Sequence, residues 1–259
     1  MNLPTPLSGY ILTHNSEKHL SKIIHALEQI AEEIIVVDSG STDGTEKIVA
    51  QSTKARFLSH PLSNFRDQRI YAEKQCQHNR IVFLDSDEIP DTDFIRHILQ
   101  LKDKGFEADV YEACRKWIVL GKPVHCVYPV LSPDTPIRLY DKTKASFERS
   151  SMVHEAPAGF QTRKKLEGIV YHITFENRIE IDRKMELYTN IAARDLIQSK
   201  TGTGWWKQIL MPVASFVKWY FVMGGYKDGK VGLILSKYAF DVTYRKYSKA
   251  RQMIKDSPQ

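Results

Sequence analysis

Cysteine is scarce in this chain of 259 residues: Cys76, Cys114 and Cys126 are the whole complement. Their number is odd and their spacing matches no metal-ligand pattern, which argues against a disulfide framework or a cysteine-held zinc and for free thiols in a reducing compartment. Long apolar runs are missing as well; no stretch reaches the roughly 18–20 residues of a membrane-spanning helix. Met1-Asn2-Leu3-Pro4-Thr5-Pro6 has no basic segment followed by an apolar one, so no secretory leader is expected. There is no internal repeat, no low-complexity tract and no helix-turn-helix, zinc or RNA-binding signature. Acidic charge is in deficit, with 31 Asp and Glu against 37 Lys and Arg, a formal net charge of +6. That excess suits an anionic partner, whether nucleotide phosphates, anionic lipid or nucleic acid; with no nucleic-acid signature in the chain, phosphates and an anionic membrane surface are expected and nucleic acid is not. The composition, 42% hydrophobic and 26% charged, is that of a globular protein. The length suits one large α/β domain with an appendage.

The most informative segment is Phe83-Leu84-Asp85-Ser86-Asp87-Glu88, where the apolar run Ile81 to Leu84 ends in three carboxylates within four residues. A buried strand that delivers acids to its carboxyl tip suits a divalent metal, because Mg2+ and Mn2+ prefer oxygen ligands and share them with substrate phosphates. Ligand crevices in open α/β sheets lie at those tips. The pattern before it is strand, helix, strand, helix, strand, helix, strand. Ser8–Thr13 reads as a strand, and Leu20, Ile23, Ile24, Leu27 and Ile30 form one face of a helix that Asn15 or Ser16 could cap. Glu33–Asp38 is a β-branched run suited to a strand covered on both faces. A polar loop, Ser39–Thr45, leads to a helix through Glu46, Ile48 and Val49, then a weak strand at Ala55–Leu58 and a helix at Phe65–Cys76. This is the order of a doubly wound parallel sheet. A helix after Pro90 follows, and then the pattern changes. Val110–Val119, Pro136–Tyr140, Ala145–Glu148 and Leu166–His172 read as strands of a mixed sheet. Glu176–Ser199 reads as a long helix. The break Thr201-Gly202-Thr203-Gly204 sets the expected boundary between a domain of residues 1–200 and a helical segment of residues 201–259, two helices joined near Gly224-Gly225.

With these blocks in hand the chain resembles a family 2 glycosyltransferase of the GT-A fold, and within it the bacterial enzymes that add a sugar, often glucose, to the lipopolysaccharide inner core. The resemblance rests on Ile11–Asn15, on Ile34 to Thr45, on Gln68-Arg69 and on Asp85–Glu88. Arg138-Leu139-Tyr140, Val153-His154-Glu155 and Gly224–Gly229 add to it, so it covers most of the chain. Two departures, Ser16 and Ile70, fall near the family's donor pocket and leave the sugar open. The resemblance implies a GT-A Rossmann-like mixed α/β sheet flanked by helices, and an inverting transfer of a hexose from a UDP-sugar to a glycolipid, lipopolysaccharide core above all. It implies donor contacts from Thr13, Asn15, Asp38, Arg69, Asp85, Ser86 and Arg138, with Asp38 on the nucleoside. It makes Asp87 the direct ligand of Mg2+ or Mn2+ and Asp85 a contact to the ribose or to metal-bound water. The cation would stabilise the departing diphosphate.

An attacking hydroxyl must lose a proton to a carboxylate on the face opposite the leaving group. Glu155 is the candidate base, placed where the family has it, with Asp134 and Glu148 as rivals and His154 as an acceptor or phosphate contact. His125 and His172 could be late ligands or acceptor contacts, although such histidines are more often structural residues. Thr42 and Asp43 are expected to shape the loop and cap a helix, and Gly40 and Gly44 to supply tight turns with positive φ. Trp205 to Phe221 gathers apolar and aromatic residues among Lys207, Lys218 and Lys227, interrupted by Pro212. It reads as an amphipathic helix on an anionic leaflet, aided by Arg163–Lys165 and the basic tail from Arg245 to Arg251; packing on the domain or dimerisation is the alternative. The expected location is cytoplasmic, peripheral on the inner face of the bacterial cytoplasmic membrane. Two rival readings stand beside the enzyme: a haloacid-dehalogenase-type phosphatase with Asp85 as nucleophile, and a non-catalytic sugar-nucleotide or membrane-binding module.

Overall fold

The computed structural model describes residues 4–149, 156–198 and 204–256. In chain order the elements are β1 (Leu7–Thr13), α1 (Glu17–Glu28), β2 (Glu33–Asp38), α2 (Thr45–Val49), β3 (Ala55–Ser59), α3 (Phe65–Gln75), β4 (Arg80–Asp85), β5 (Glu88–Pro90) and α4 (Thr92–Lys104). There follow β6 (Val110–Val119), β7 (Lys122–Pro123), β8 (Cys126–Val127), β9 (Val130–Leu131), β10 (Ile137–Asp141), β11 (Arg163–Thr174), α5 (Arg178–Gln198), α6 (Trp205–Val217) and α7 (Gly229–Asp256). The chain divides into two compact units: residues 1–115 with 135–172, and residues 116–134 with 173–259. The domain boundary expected at residue 201 lies outside the described residues.

The first unit is built on a sheet of order β3-β2-β1-β4-β10-β6-β11-β5. Its first four strands are parallel. β10 runs antiparallel to both β4 and β6, and β5 antiparallel to β11. The mixed α/β sheet flanked by helices is therefore the one expected. Alternate residues of the parallel strands feed two separate cores. Leu7 and Ile11, Ile34 and Val36, Val82 and Leu84 pack with Leu20, Ile23 and Leu27 of α1 and Phe94 and Ile98 of α4. Tyr10, Ile35, Val37, Ile81 and Phe83 pack with Ala72 of α3 and with Phe147. A sheet buried on both faces explains why these strands read as continuous apolar runs.

Two expectations fail locally. Ala145–Glu148 is not a strand: Lys144 and Ala145 donate backbone bonds to Asp141 O, and a 3-10 turn at Phe147–Arg149 follows. That turn lets the Phe147 ring enter the core edge-on to Phe83 and Tyr140. The cap of α1 also differs. Ser16 occupies the N-cap position without a side-chain cap bond, and the Asn15 amide oxygen accepts from Thr42 N instead. Asp43 does the capping, accepting from Glu17 N of α1 and from Thr45 N of α2.

In the second unit α5, α6 and α7 form a helical body. One core gathers Ile181 and Met185 of α5 with Val231, Leu235, Tyr238 and Val242 of α7. A π-helical turn at Lys218–Val222 and a 3-10 turn at Gly225–Asp228 join α6 to α7, so the two expected helices and their Gly-Gly joint are present. Gly225 is needed there, since a Cβ would stand 2.7 Å from Trp219 O. Among the described residues no helix is long and apolar enough to cross a membrane.

Candidate active site

The parallel register decides which side chains meet. Thr13 is the Cα partner of Asp38, and Leu12 that of Asp85. β2, β1 and β4 therefore end together, and their carboxyl tips carry Asp38, Thr13 and Asp85 in one row, the place where such sheets bind ligands. Asp38 is nearly inaccessible, at 2%. One of its oxygens accepts from Gly40 N (2.9 Å) and Ser41 N (2.7 Å), the other from Ser41 Oγ (2.5 Å) and Thr13 Oγ1 (2.8 Å). Burial alone would raise the Asp38 pKa, but the hydroxyl and amide of Ser41, the Thr13 hydroxyl and the Gly40 amide outweigh it and hold the carboxyl below its usual value. Asp38 thus shapes the Ser39–Gly44 loop as well as standing at the crevice. Gly40 sits at φ +95°, as a tight turn requires, whereas Gly44 has φ −74° and is small for another reason: a Cβ there would lie 2.7 Å from Glu17 Oε2. Asn15 closes the same corner, at φ 51°, with its own N–H donating to Ser41 Oγ.

At the tip of β4 the acids divide into two kinds. Asp85 Oδ1 accepts from Arg69 Nη2 (2.8 Å) and Oδ2 from Arg138 Nη2 (3.1 Å). Burial opposes its charge, yet the Arg69 and Arg138 guanidiniums hold its carboxyl well below the usual range. Both oxygens being so occupied, Asp85 is poorly disposed to act as a phosphatase nucleophile. Arg69 is neither a solvated helix-face charge nor a free phosphate fork: it is buried, and its guanidinium lies over the rings of Phe83 (5.1 Å) and Phe147 (5.6 Å). The Tyr10 hydroxyl faces it without completing a hydrogen bond. Arg138 is not a sheet-edge charge, since β10 lies between β4 and β6. Its Nε and Nη2 fork onto Glu88, Nη1 donates to Ile137 O (3.0 Å), and the guanidinium also lies over Phe83, at 4.9 Å. Each such cation–π contact is worth about 1–2 kcal/mol when desolvated.

Asp87 is the other kind. Its side chain is 32% exposed, and its described polar partner is His172 Nε2, 3.1 Å from Oδ2. His172 comes from β11, where it stands opposite Glu88 of β5 in register. The sequence favours a structural residue over a late ligand or acceptor contact here; the signal that singles His172 out is its register opposite the acidic turn, which shows only once the pairing is known. Ser86, between the acids, accepts from Ser16 Oγ (3.0 Å) and so ties the turn to the start of α1. Among the described residues no three His, Cys, Asp or Glu gather into a metal cage. A carboxylate oxygen beside an imidazole nitrogen nevertheless fits a divalent cation that draws its remaining ligands from substrate oxygens and water.

Glu155 and His154 lie outside the described residues. Of the rivals for the base, Glu148 is exposed and paired with Lys74 at 2.6 Å, while Asp134 of the second unit accepts from Trp117 Nε1. His125 pairs with Asp228 at 2.5 Å, which anchors the loop before β8 to the Gly225–Asp228 turn. The basic groups expected to face a membrane are partly consumed. Arg163 pairs with Glu112, Lys164 with Glu107, and Arg245 and Lys249 both with Glu186.

The sequence profile described as Glycosyl transferase family 2 matches residues 8–166. The chain is similar to the lipopolysaccharide core biosynthesis glycosyltransferase LpsC of Rhizobium meliloti, with 27% identity and 97% of each chain covered. It is similar to an uncharacterized glycosyltransferase of Rickettsia typhi, with 26% identity over 90% of this chain and 83% of that one. Among solved structures it is similar to S. aureus TarS 1-349 in complex with UDP, at 18% identity, 96% and 92% coverage and a TM-score of 0.49.

Proposed function

This chain belongs to glycosyl transferase family 2, and from that premise we propose that it moves a hexose, glucose by its subgroup resemblance, from a UDP-sugar to a hydroxyl of a membrane glycolipid with inversion at the anomeric carbon. The acceptor class follows the relative named for lipopolysaccharide core biosynthesis. The observation that carries the reading is the row Asp38–Thr13–Asp85 at three adjacent strand tips, with the Asp87–His172 pair open beside it.

Thr13, Asn15 and Asp38 wall the nucleoside side of the crevice. Asp87 and His172 would hold Mg2+ or Mn2+. Bound there, the cation supplies positive charge to a departing diphosphate. Asp85 contributes as a fixed anion that keeps Arg69 and Arg138 in place. Glu155 takes the proton of the acceptor hydroxyl. The membrane side of the task falls to the second unit. α6 and the turn after it expose Trp205, Trp206, Ile209, Leu210, Val213, Val217, Phe221 and Val222. No acidic residue occurs from Gly204 to Lys227, and Lys207, Lys218 and Lys227 lie among the apolar side chains. A helix of that kind lies on an anionic leaflet with its tryptophans at headgroup depth.

The test is a panel of nucleotides and nucleotide sugars with Mn2+, read by thermal shift and by slow donor hydrolysis. Stabilisation by UDP–Mn2+ and not by GDP–Mn2+, with turnover of one UDP-hexose, is the expected result. Equal response to both nucleotides overturns the nucleoside assignment, and no response to either overturns the donor class.

A further inference from the structure

We propose that Glu88, the last acid of the Asp85–Glu88 run, is a positioning residue that clamps the turn at the tip of β4, keeping Asp87 open and His172 beside it. This deepens the function proposed above, and its binding and turnover readouts rest on that function.

Glu88 is fully buried. Its Oε1 accepts from Arg115 Nη1 (2.8 Å) and from Arg138 Nη2 (2.5 Å). Its Oε2 accepts from Arg138 Nε (2.7 Å) and from the backbone N–H of Asp85 (3.1 Å). Four donors fill the four lone-pair directions of one carboxylate. They come from three different strands, β4, β6 and β10, while Glu88 itself begins a fourth, β5. The bond to Asp85 N closes the turn from residue 88 back to residue 85, so the backbone of Ser86 and Asp87 is held between two fixed ends.

Two consequences bear on Asp87. First, β5 pairs with β11 so that Glu88 stands opposite His172. Anchoring the first residue of this three-residue strand fixes where His172 is delivered. Second, the Glu88 carboxylate engages the buried guanidinium of Arg138 and the half-buried one of Arg115. Without Glu88, Arg138 retains only Asp85 as a carboxylate partner and Arg115 loses this one, and an under-paired guanidinium with little water around it turns toward a further anion. The open carboxylate in the same turn is Asp87. Glu88 therefore spares Asp87 from neutralisation by arginine and leaves it available to a cation.

The experiment is E88Q, which preserves shape but replaces one acceptor oxygen with a donor that opposes the Arg138 fork. Amide hydrogen exchange is measured at Asp85 and, as an internal reference, at Val82 of the same strand. UDP affinity is measured with and without Mn2+, and kcat and KM with the UDP-hexose identified above. Exchange at Asp85 should quicken at least tenfold relative to Val82. Mn2+-dependent UDP affinity should fall at least tenfold while metal-free affinity stays within twofold, and kcat should fall more than KM rises. Unchanged exchange overturns the clamp. Faster exchange with unchanged Mn2+-dependent affinity makes Glu88 merely structural and overturns the positioning role. Should E88Q not fold, R115Q removes one donor and leaves the fork, and the same shifts are expected at about threefold; their absence overturns the proposal. Should the native protein show no Mn2+-dependent UDP binding at all, the proposed function fails, and exchange at Asp85 alone then decides the clamp.

Discussion

Two regions of this protein invert the usual rule of burial, and they do so in opposite senses. At the tip of β4 the first unit buries Arg69, Arg138 and Glu88 in a charged network. Along α6 the second unit leaves large apolar side chains in water: Trp205 is 66% exposed and Val222 70%. A buried charge is costly unless it is paired and hydrogen-bonded; Arg138 and Glu88 meet that condition through bonds of 2.5–3.1 Å, while Arg69 is paired with Asp85 at 2.8 Å but keeps Nε and Nη1 without a hydrogen-bond partner, against the rings of Phe83 and Phe147. An exposed apolar face of this kind is what the membrane role proposed for the second unit calls for. α1 gives the contrast within ordinary rules. It is nearly as long as α6, 12 residues against 13, and buries Leu20, Ile23, Ile24, Ala26 and Leu27, whereas α6 buries Pro212 alone. The same physical chemistry thus separates residues that hold the fold from residues kept for something else.

The sharpest way to break the contrast lies inside the acidic turn. Asp87→Ala should reduce sugar transfer by roughly a thousandfold and leave the melting temperature near that of the native protein. Asp85→Asn, two residues away, should lower stability by about 3 kcal/mol because Arg69 and Arg138 lose a charged partner. Equal effects of the two on stability would erase the division between open and buried acids. A smaller effect is expected at α6. Replacing Ile209 and Leu210 together by Glu should weaken binding to vesicles containing anionic lipid by roughly a hundredfold, since two buried apolar side chains are each worth about 1.5 kcal/mol even at the low end. Transfer to a water-soluble acceptor should not change. Binding that survives the double change, or a loss of dimerisation in its place, assigns the face to another role. The smallest effect is on the pH dependence of folding. The folded pKa values of Asp85 and Glu88 are depressed by their arginines, after burial has opposed the charge. Their contribution is fully present above the unfolded carboxylate values near 4 and is lost as pH falls toward the lower folded values. Each can remove at most about 1.4 kcal/mol per pH unit below that point. Denaturant unfolding at pH 5, 4 and 3 measures it, and D85N should flatten the profile.

Much of the fold was legible because the parallel strands are covered on both faces and the apolar residues of α1 repeat at 3.6 residues. β6 appeared at its full length, and β1, β2 and β4 within a residue at each end. Ala145–Glu148 failed because alternation says nothing about the turn made by backbone bonds to Asp141 O. β5 escaped notice since three residues ending in Pro90 carry no period. Arg69 and Arg138 were visible as positive charges near a phosphate site, but not as partners of Asp85 that share the Phe83 ring. A charge has no direction in a sequence.

By itself, then, the order of residues determined the sheet class, the family and the acidic strand tip, because apolar periodicity and local motif chemistry are properties of neighbours along the chain. Tertiary structure alone decided which acid is held by arginine and which stays open, and it brought His172 to Asp87 across 85 positions. Strand register couples residues that are remote in sequence, and it is set by the pairing of whole strands.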